Sequence, residues 1–254
     1  MIETKSEIIY GIEITSENRY LDFKEGATSF SAELNPGRYT LATIARAVST
    51  ALNNAGLFSY SCSIDRATRK LTISASGSFQ LIVVNPPHSG NAANVIGFTA
   101  DKTGFNVTSD NGLGKIYTPP RYLQDYEDPE NNLAAISESL NESANGTVEV
   151  FSLGEKKICE FNIDYITDNA AAYDFLENIP GMIAKTRDLL TYLSKKGPVD
   201  FMPDKTKPEE FYTLIMEKNA FNSKGTGFRL FEMSGLGHIK MWETKTMTFR
   251  VVEL

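Results

Sequence analysis

Hydrophobic and polar residues alternate with a period of two over much of the chain. Apolar side chains recur at every second position over 58–64 and again over 71–75, on either side of a polar turn at 65–68. This alternation is typical of antiparallel strands with one packed and one solvated face. The pattern predicts a meander, with a further turn at 76–77 and a third strand over 79–84.

A helical period interrupts this pattern once in the first half. Thr40 lies where an N-cap residue belongs. The apolar residues that follow at helical spacing are Leu41, Ile44, Ala45, Val48 and Leu52. Gly56 is predicted to end this helix in the left-handed conformation. A second, short helix is predicted over 91–97, with Ala92, Ala93 and Ile96 facing inward.

The second half repeats the mixture of strands and one helix. Alternating residues predict strands over 147–151 and 158–166. The apolar face of the predicted helix consists of Met182, Ile183, Thr186, Leu189, Leu190 and Leu193. Lys195 and Lys196 suit the negative end of its dipole, and Gly197-Pro198 stops it. Further strands are predicted over 199–202, 211–216, 227–233, 239–242 and 247–252.

These elements predict an α+β fold with two small domains, each a mostly antiparallel sheet packed with one main helix. The predicted boundaries are 1–116 for the N-terminal domain, 117–145 for a linker or extended arm, and 146–254 for the C-terminal domain. The middle segment is acidic and opens with Pro119-Pro120. One interpretation is a solvated interdomain connection, and the other is an arm that lies on a neighbouring subunit.

Charge and hydropathy argue against nucleic-acid binding and against a membrane-spanning segment. The chain has 254 residues and a formal net charge of −7. A negative field repels phosphate backbones, and no basic patch opposes it, so sequence-specific nucleic-acid binding is not expected. No apolar run approaches the ~20 residues that cross a bilayer, and the N-terminus lacks an apolar leader. We therefore expect a chain without a membrane segment, made in a cytoplasm.

Metal and cofactor chemistry finds little support in the sequence. His88 and His238 each lack a second ligand at metal-binding spacing. The acidic run over 125–130 lacks the glycine and the terminal glutamate of a calcium loop. Cys62 and Cys159 are expected to be buried, reduced thiols. We expect no metal site and no cofactor.

Catalytic motifs are also missing from the sequence. There is no Gly-X-Ser-X-Gly elbow. The stretch that contains Gly225 and Gly227 lacks the lysine and the hydroxyl residue that follow the glycines of a phosphate-binding loop. Among 32 acidic residues, nothing singles out a pair of catalytic carboxylates. The chain is therefore predicted not to be an enzyme, and a hydrolase with scattered carboxylates is the minor alternative.

Aromatic residues offer two competing interpretations. Trp242, Tyr117, Tyr122 and Tyr126 are candidates for stacking on sugar rings, although the alternating strand around Trp242 favours a core position. Tyrosines near the Pro119-Pro120 pair are better suited to contacts with another protein chain, because Tyr combines apolar area with a polar tip. The candidate subunit-contact residues are Tyr117, Arg121, Tyr122, Asp125 and Tyr126.

Several short stretches resemble structural proteins of tailed bacteriophage virions. In the first half they are Gly37-Arg-Tyr-Thr-Leu41, Leu52-Asn-Asn-Ala-Gly56, Tyr60-Ser-Cys-Ser-Ile-Asp65, Arg69-Lys-Leu-Thr-Ile-Ser-Ala75 and Val95-Ile-Gly-Phe-Thr99. In the second half they are Tyr117-Thr-Pro-Pro-Arg-Tyr122, Phe201-Met-Pro-Asp204 and Phe249-Arg-Val-Val-Glu253.

This resemblance implies a minor tail, baseplate or head–tail junction component that assembles into rings around a tail or connector axis. Its expected partners are other copies of itself and other virion proteins, and its expected location is the virion, after synthesis in the host cytoplasm. The alternative is a receptor- or carbohydrate-binding module of the same kind of particle.

Overall fold

The computed structural model describes residues 6–120, 133–135, 138–142, 148–152, 155–168, 179–217, 231–232, 242–244 and 246–252. These residues form two α-helices and eighteen β-strands, most of them paired antiparallel, so the α+β prediction is confirmed. The chain divides into two compact units. The N-terminal unit comprises Glu7–Tyr117 and Gly197–Phe211, and the C-terminal unit comprises Met1–Ser6, Thr118–Lys196 and Tyr212–Glu253.

The elements follow one another in chain order. They are β1 (Glu7–Tyr10), β2 (Ile12–Ile14), β3 (Tyr20–Glu25), β4 (Thr28–Glu33), β5 (Gly37–Tyr39), α1 (Leu41–Ala55), β6 (Tyr60–Asp65), β7 (Lys70–Ile82), β8 (Lys102–Thr108), β9 (Lys115–Tyr117), β10 (Leu133–Ala135), β11 (Glu138–Glu142), β12 (Val148–Ser152), β13 (Glu155–Phe161), α2 (Met182–Ser194), β14 (Val199–Met202), β15 (Tyr212–Met216), β16 (Phe231–Glu232), β17 (Trp242–Glu243) and β18 (Met247–Val251).

The main sheet of the N-terminal unit is built around the long strand β7. Its strand order is β4-β3-β7-β6, and β8 also pairs with β7. The predicted turn at 76–77 is wrong, because β7 continues through it with an irregularity between Ser74 and Phe79 in its pairing with β8. Gly77 fits this irregularity, since a Cβ there would lie 2.5 Å from the Phe58 ring.

Helix α1 covers the apolar face of this sheet, as the helical period predicted. Its inward residues are fully or almost fully buried, and Ile44, Val48 and Leu52 have no exposed surface. They join one core cluster with the sheet residues Phe23, Leu71 and others. The predicted N-cap is confirmed: the Thr43 amide donates to Thr40 Oγ1 (3.2 Å), and the Thr40 amide donates to Thr43 Oγ1 (2.8 Å).

Two predictions about local backbone conformation are wrong. Gly56 is extended, with φ −93° and ψ 176°, and is not left-handed. A glycine suits this position for reasons of space, because a Cβ would lie 2.4 Å from Glu25 Oε1. The predicted helix over 91–97 consists of hydrogen-bonded turns, although Ala92, Ala93 and Ile96 are buried as expected.

The segment Gly197–Phe211 lies in the N-terminal unit, whereas the predicted boundaries placed it in the C-terminal domain. Strand β14 pairs antiparallel with β1, with Phe201 opposite Ile8. Strand β9 flanks β1 on its other side and places Tyr117 opposite Ile8. All four residues of β14 are buried. A strand that is buried on both faces lacks an alternating pattern, so its sequence does not indicate which distant strand it will pair with.

The C-terminal unit contains an antiparallel run of strands in the order β10-β13-β18-β15, together with α2. Cys159 in β13 lies opposite Phe249 in β18, and the Phe161 and Phe249 rings stack at 4.8 Å. Helix α2 confirms the predicted helix and buries Leu189, Leu190 and Leu193. Strands β11 and β12 form one two-stranded ladder, and β16 and β17 form another.

Candidate functional site

A cleft of about 480 Å³ opens in the N-terminal unit between α1, β6 and the segment that follows β14. The α1 wall includes Leu41, Ala45, Arg46 and Ser49, and the β6 wall runs over residues 61–64. The third wall is formed by Met202, Pro208 and Phe211, with Ile9, Arg66 and Asp200 completing the lining. The cleft is therefore bounded by a helix, a strand and a connecting segment.

Strand β6 lies at the end of its sheet and presents its outer edge to the cleft. Its only sheet neighbour among the described strands is β7. At the first residue of β6, the Tyr60 amide donates to Asn53 Oδ1 and the Tyr60 carbonyl accepts from Asn53 Nδ2, both at 2.8 Å. The backbone polar groups of Tyr60 therefore point away from β7.

Backbone groups of an antiparallel strand alternate in direction, so Cys62 and Ile64 share the orientation of Tyr60. The β7 side agrees, because the backbone groups of Leu71, opposite Ile64, bind Ser109 instead: the Leu71 amide donates to Ser109 Oγ, and the Leu71 carbonyl accepts from the Ser109 amide. Within the described part of the chain, the N–H and C=O groups of Cys62 and Ile64 have no protein partner. Two donors and two acceptors thus face the cleft.

The N-terminus of α1 is fixed by a buried carboxylate from β14. Asp200 is 3% exposed, and its Oδ2 accepts a hydrogen bond from the Leu41 amide at 2.8 Å. A negative charge at this end of a helix is favoured by the helix dipole and by the unpaired amides of the first turn. Asp200 therefore joins the helical wall of the cleft to the β14 segment.

The chain after α1 is fixed by a second buried carboxylate, that of Glu25 in β3. Glu25 accepts hydrogen bonds from the amides of Leu57 (3.0 Å) and Phe58 (3.2 Å) and from the Tyr60 hydroxyl (2.8 Å). Burial, with Glu25 as a lesser cause, raises the pKa of Tyr60 well above its usual range. Tyr60 therefore stays protonated and continues to donate at any physiological pH.

Two arginines give the cleft a positive character that contrasts with the net charge of the chain. The Arg66 guanidinium lies over the Phe211 ring, 3.2 Å from its centroid, in a cation–π contact. Burial lowers the pKa of Arg66, and nearby Asp200 opposes that shift. Arg46 is exposed on α1 and has no ion-pair partner among the described residues.

Cys62 lines the cleft but is poorly suited to nucleophilic chemistry. Burial raises the pKa of its thiol to about 12. The reactive form of a cysteine is the thiolate, which is scarce at neutral pH when the pKa is so high. Cys62 and Cys159 are both free thiols; Cys159 is buried and Cys62 is only half-buried.

The structure describes only one of the five residues predicted to contact other subunits. Tyr117 is 1% exposed and lies in β9, so its side chain belongs to the packed interior of the N-terminal unit. Arg121, Tyr122, Asp125 and Tyr126 lie outside the described residues, and their contact role stays a prediction. Among the other aromatic candidates, Trp242 is half-buried in β17.

A second polar cluster surrounds His88, away from the residues that line the cleft. His88 Nδ1 lies 2.8 Å from Asp22 Oδ1 and 3.2 Å from Ser31 Oγ, and its ring stacks on Tyr20. A nucleophilic triad needs the carboxylate and the hydroxyl on different ring nitrogens. Here both contact the same nitrogen, so the cluster joins the loop around His88 to β3 and β4.

The described ranges contain no group of three or more His, Cys, Asp or Glu side chains placed to hold a metal ion. His238 and the acidic run over 125–130 lie outside them. In the described part of the chain, no helix is both long enough and apolar enough to span a bilayer.

Sequence reasoning missed the cleft because its parts are distant in the chain. It identified α1 and β6 but not that β6 ends its sheet, which depends on long-range pairing. One local signal was present: Asp200 interrupts the apolar run of residues 199–202. A carboxylate in such a run is rarely buried without a specific partner, and here that partner is the α1 N-terminus.

No protein-family model matches the chain, and no curated protein matches it either. The geometry of the cleft and the sequence patterns are therefore what a functional proposal rests on.

Proposed function

We propose that this chain is a structural component of a tailed-bacteriophage virion, in the tail, the baseplate or the head–tail junction. It works by ring-like self-association and by contacts with other virion proteins, and the proposal gives it no catalytic role. The supporting observation is the open edge of β6, whose Cys62 and Ile64 backbone groups face a formed cleft.

An open strand edge of this kind favours assembly over chemistry. Unpaired N–H and C=O groups on a sheet edge are a template for a strand from another chain. A contact in which one copy inserts a segment into a different surface of the next copy is heterologous, and heterologous contacts close into rings when the rotation permits. The cleft thus supplies one half of such a contact.

The side chains around this edge also favour binding over catalysis. The cleft combines an apolar lining with two arginines, while its cysteine is held in the protonated form. The resemblance of several stretches to virion proteins, described above, supplies the biological setting for the proposal. Neither observation requires a substrate or a cofactor.

Sedimentation velocity on the purified chain, followed by electron microscopy of the sedimenting species, tests the self-association. We expect a discrete closed oligomer whose population rises with protein concentration. A chain that stays monomeric at about 100 µM, well above the Kd of an ordinary protein interface, would contradict self-association.

Mass spectrometry of purified particles of the encoding virus tests the location. We expect the chain at a fixed copy number per particle, and its absence from washed particles would overturn the virion assignment. Hydrogen exchange comparing the free chain with the particle then reports where contacts form, and we expect added protection in β6.

A further inference from the structure

We propose that the open edge of β6 is filled by the segment 121–128 of a second copy of this chain, which adds to the sheet as an extra strand. This inference rests on the proposed self-association and names the two surfaces that meet. The groove belongs to one copy, and the inserted segment belongs to the next.

The length of the site follows from the contacts at its two ends. At Tyr60, the Asn53 side chain already occupies both outward-facing backbone groups, so an added strand cannot pair beyond this residue. At the other end, Arg66 lies on the Phe211 ring just after β6. About five residues of β6 remain for pairing, which corresponds to ~17 Å of extended chain.

The segment 121–128 has a sequence suited to this length. It runs between Pro120 and Pro129, so its eight residues all carry the backbone N–H that strand pairing requires. With a period of two, Tyr122 and Tyr126 fall on one face, and Asp125 and Glu127 fall on the other. An added strand would therefore present both tyrosines on one side and two of its three carboxylates on the other, with Asp128 on the tyrosine side.

Charge complementarity selects this segment over the rest of the chain. Asp125, Glu127, Asp128 and Glu130 lie within six positions. The cleft offers Arg46 and Arg66, while its one acidic residue, Asp200, already accepts a hydrogen bond from the α1 N-terminus. An acidic strand would thus meet positive side chains and an apolar surface that includes Met202 and Phe211.

A peptide with the sequence of residues 121–130 tests the groove directly. The receptor is the full-length chain with Asp125→Asn, Glu127→Gln and Asp128→Asn, so that its own segment competes little. Fluorescence anisotropy should show saturable one-to-one binding of the labelled peptide. Equal binding of a scrambled peptide would show that only net charge matters, and would overturn the inference.

Arginine variants test the charge contacts. Adding Arg46→Glu to the receptor should weaken peptide binding at least tenfold, because an attraction becomes a repulsion. Arg187→Glu is the matched control, since Arg187 is likewise an exposed helical arginine but lies in α2. Equal affinities of the two variants would contradict a role for the cleft. Circular dichroism should show both variants folded.

Backbone methylation tests strand addition separately from charge. Two peptides carry N-methyl groups on alternate residues of 121–128, one on even positions and one on odd positions. Only one set of amides can face β6, so one peptide should lose binding and the other should retain it. Loss or retention by both peptides would exclude pairing as a strand.

Mixing two defective chains tests whether the partner is a second copy. The Arg46→Glu chain has an impaired groove and an intact segment; the chain with the neutralised segment has the reverse. Each alone should sediment as a monomer, and the mixture should form a one-to-one dimer. If the unaltered chain assembles and both variants still assemble alone, the inference fails while the proposed function survives. If the unaltered chain neither assembles nor enters particles, the proposed function itself fails.

Discussion

The two helices of this chain are fixed in different ways. Side chains hold both ends of α1: Thr40 and Asp200 bind amides of its first turn, and Glu25 binds the two amides that follow Gly56. The N-cap residue of α2 is Gly181, with φ 67° and no side-chain cap of its own. The first-turn amide of Ile183 donates to exposed Asp168. Helix α2 is therefore held mainly by its buried apolar face.

This difference has a functional meaning within the N-terminal unit. Helix α1 forms one wall of the cleft, and its anchors Asp200 and Glu25 come from strands β14 and β3 of the same unit. A wall that is fixed before a ligand arrives loses little conformational freedom on binding. Carboxylate anchoring thus preorganises a binding surface, whereas α2, with one exposed carboxylate at its first turn, is held mainly by packing.

The largest decrease in the free energy of unfolding is expected for Leu189→Ala in α2. Leu189 is fully buried, and truncating such a residue costs about 2–5 kcal/mol through lost burial and the remaining cavity. Urea denaturation should show this as a lower midpoint. Lys185→Ala, at an exposed position of the same helix, is the control and should change the free energy of unfolding by less than about 0.5 kcal/mol. Similar losses for both would mean that packing does not hold α2.

The next largest effect is expected from Glu25→Ala, which removes the anchor after α1. Of the three donors that Glu25 binds, the Tyr60 hydroxyl is in a buried hydrogen bond, and leaving it without an acceptor costs about 1–3 kcal/mol. The Leu57 and Phe58 amides are only part-buried, so water can replace much of what they lose. Urea denaturation should therefore give a clear loss. Glu25→Gln retains one acceptor oxygen and should lose less. Equal losses for the two variants would indicate that the carboxylate charge, which both substitutions remove, is what matters, and not the number of acceptor oxygens that remain.

A smaller effect is expected from Thr40→Ala at the N-cap of α1. Removing a hydroxyl cap costs about 1 kcal/mol. Thr50→Ala makes the same substitution at an exposed interior position of α1 and should be neutral or slightly stabilising, because Ala has the higher helix propensity. Thermal unfolding of the pair measures the cap alone, and a Thr40→Ala chain as stable as the parent would show that Asp200 is sufficient to fix this end.

Local signals in the sequence were enough to predict both helices. Thr40 followed by apolar residues at helical spacing predicted α1, and Gly197-Pro198 predicted a stop that lies shortly after the observed end of α2 at Ser194. The error at Gly56 shows where local reasoning fails. A glycine after a helix usually serves a left-handed turn, but here Glu25, thirty-one positions earlier, occupies the space of a side chain. Only the tertiary structure reveals that requirement.

Strand pairing was less predictable, and the cleft depends on it. Alternation identified β6, but its position at the end of the sheet follows from the long strand β7 pairing with β3, β6 and β8. The sequence around Gly77 favoured a turn, because a glycine inside a strand gives the same local signal as a glycine in a turn. Asp200 was predicted as part of a strand, but its contact with Leu41 joins residues 159 positions apart.

The smallest effect is expected from acid, which removes carboxylate anchors elsewhere in the N-terminal unit. Hydrogen bonds from the Val84 and Val83 amides lower the pKa of Asp101. Contacts with Lys102 and Thr99 lower the pKa of Asp110. A lowered pKa in the folded state means that the ionised group stabilises the fold above the ordinary value of about 3.9, and that this contribution is lost as the pH falls through the folded pKa.

The midpoint temperature of thermal unfolding should therefore decrease as the pH is lowered below about 4. Part of this decrease should disappear in Asp101→Asn and Asp110→Asn chains. Near pH 6 these variants should be slightly less stable than the parent, and near pH 2.5 the difference should shrink, because the parent carboxyls are then closer to neutral. Asp168→Asn, near the start of α2, provides the comparison with the other helix. If carboxylate anchoring is the property of the N-terminal unit, this variant should lower the midpoint temperature of thermal unfolding near pH 6 least of the three. A larger change there would place anchoring at both helices and remove the distinction between them.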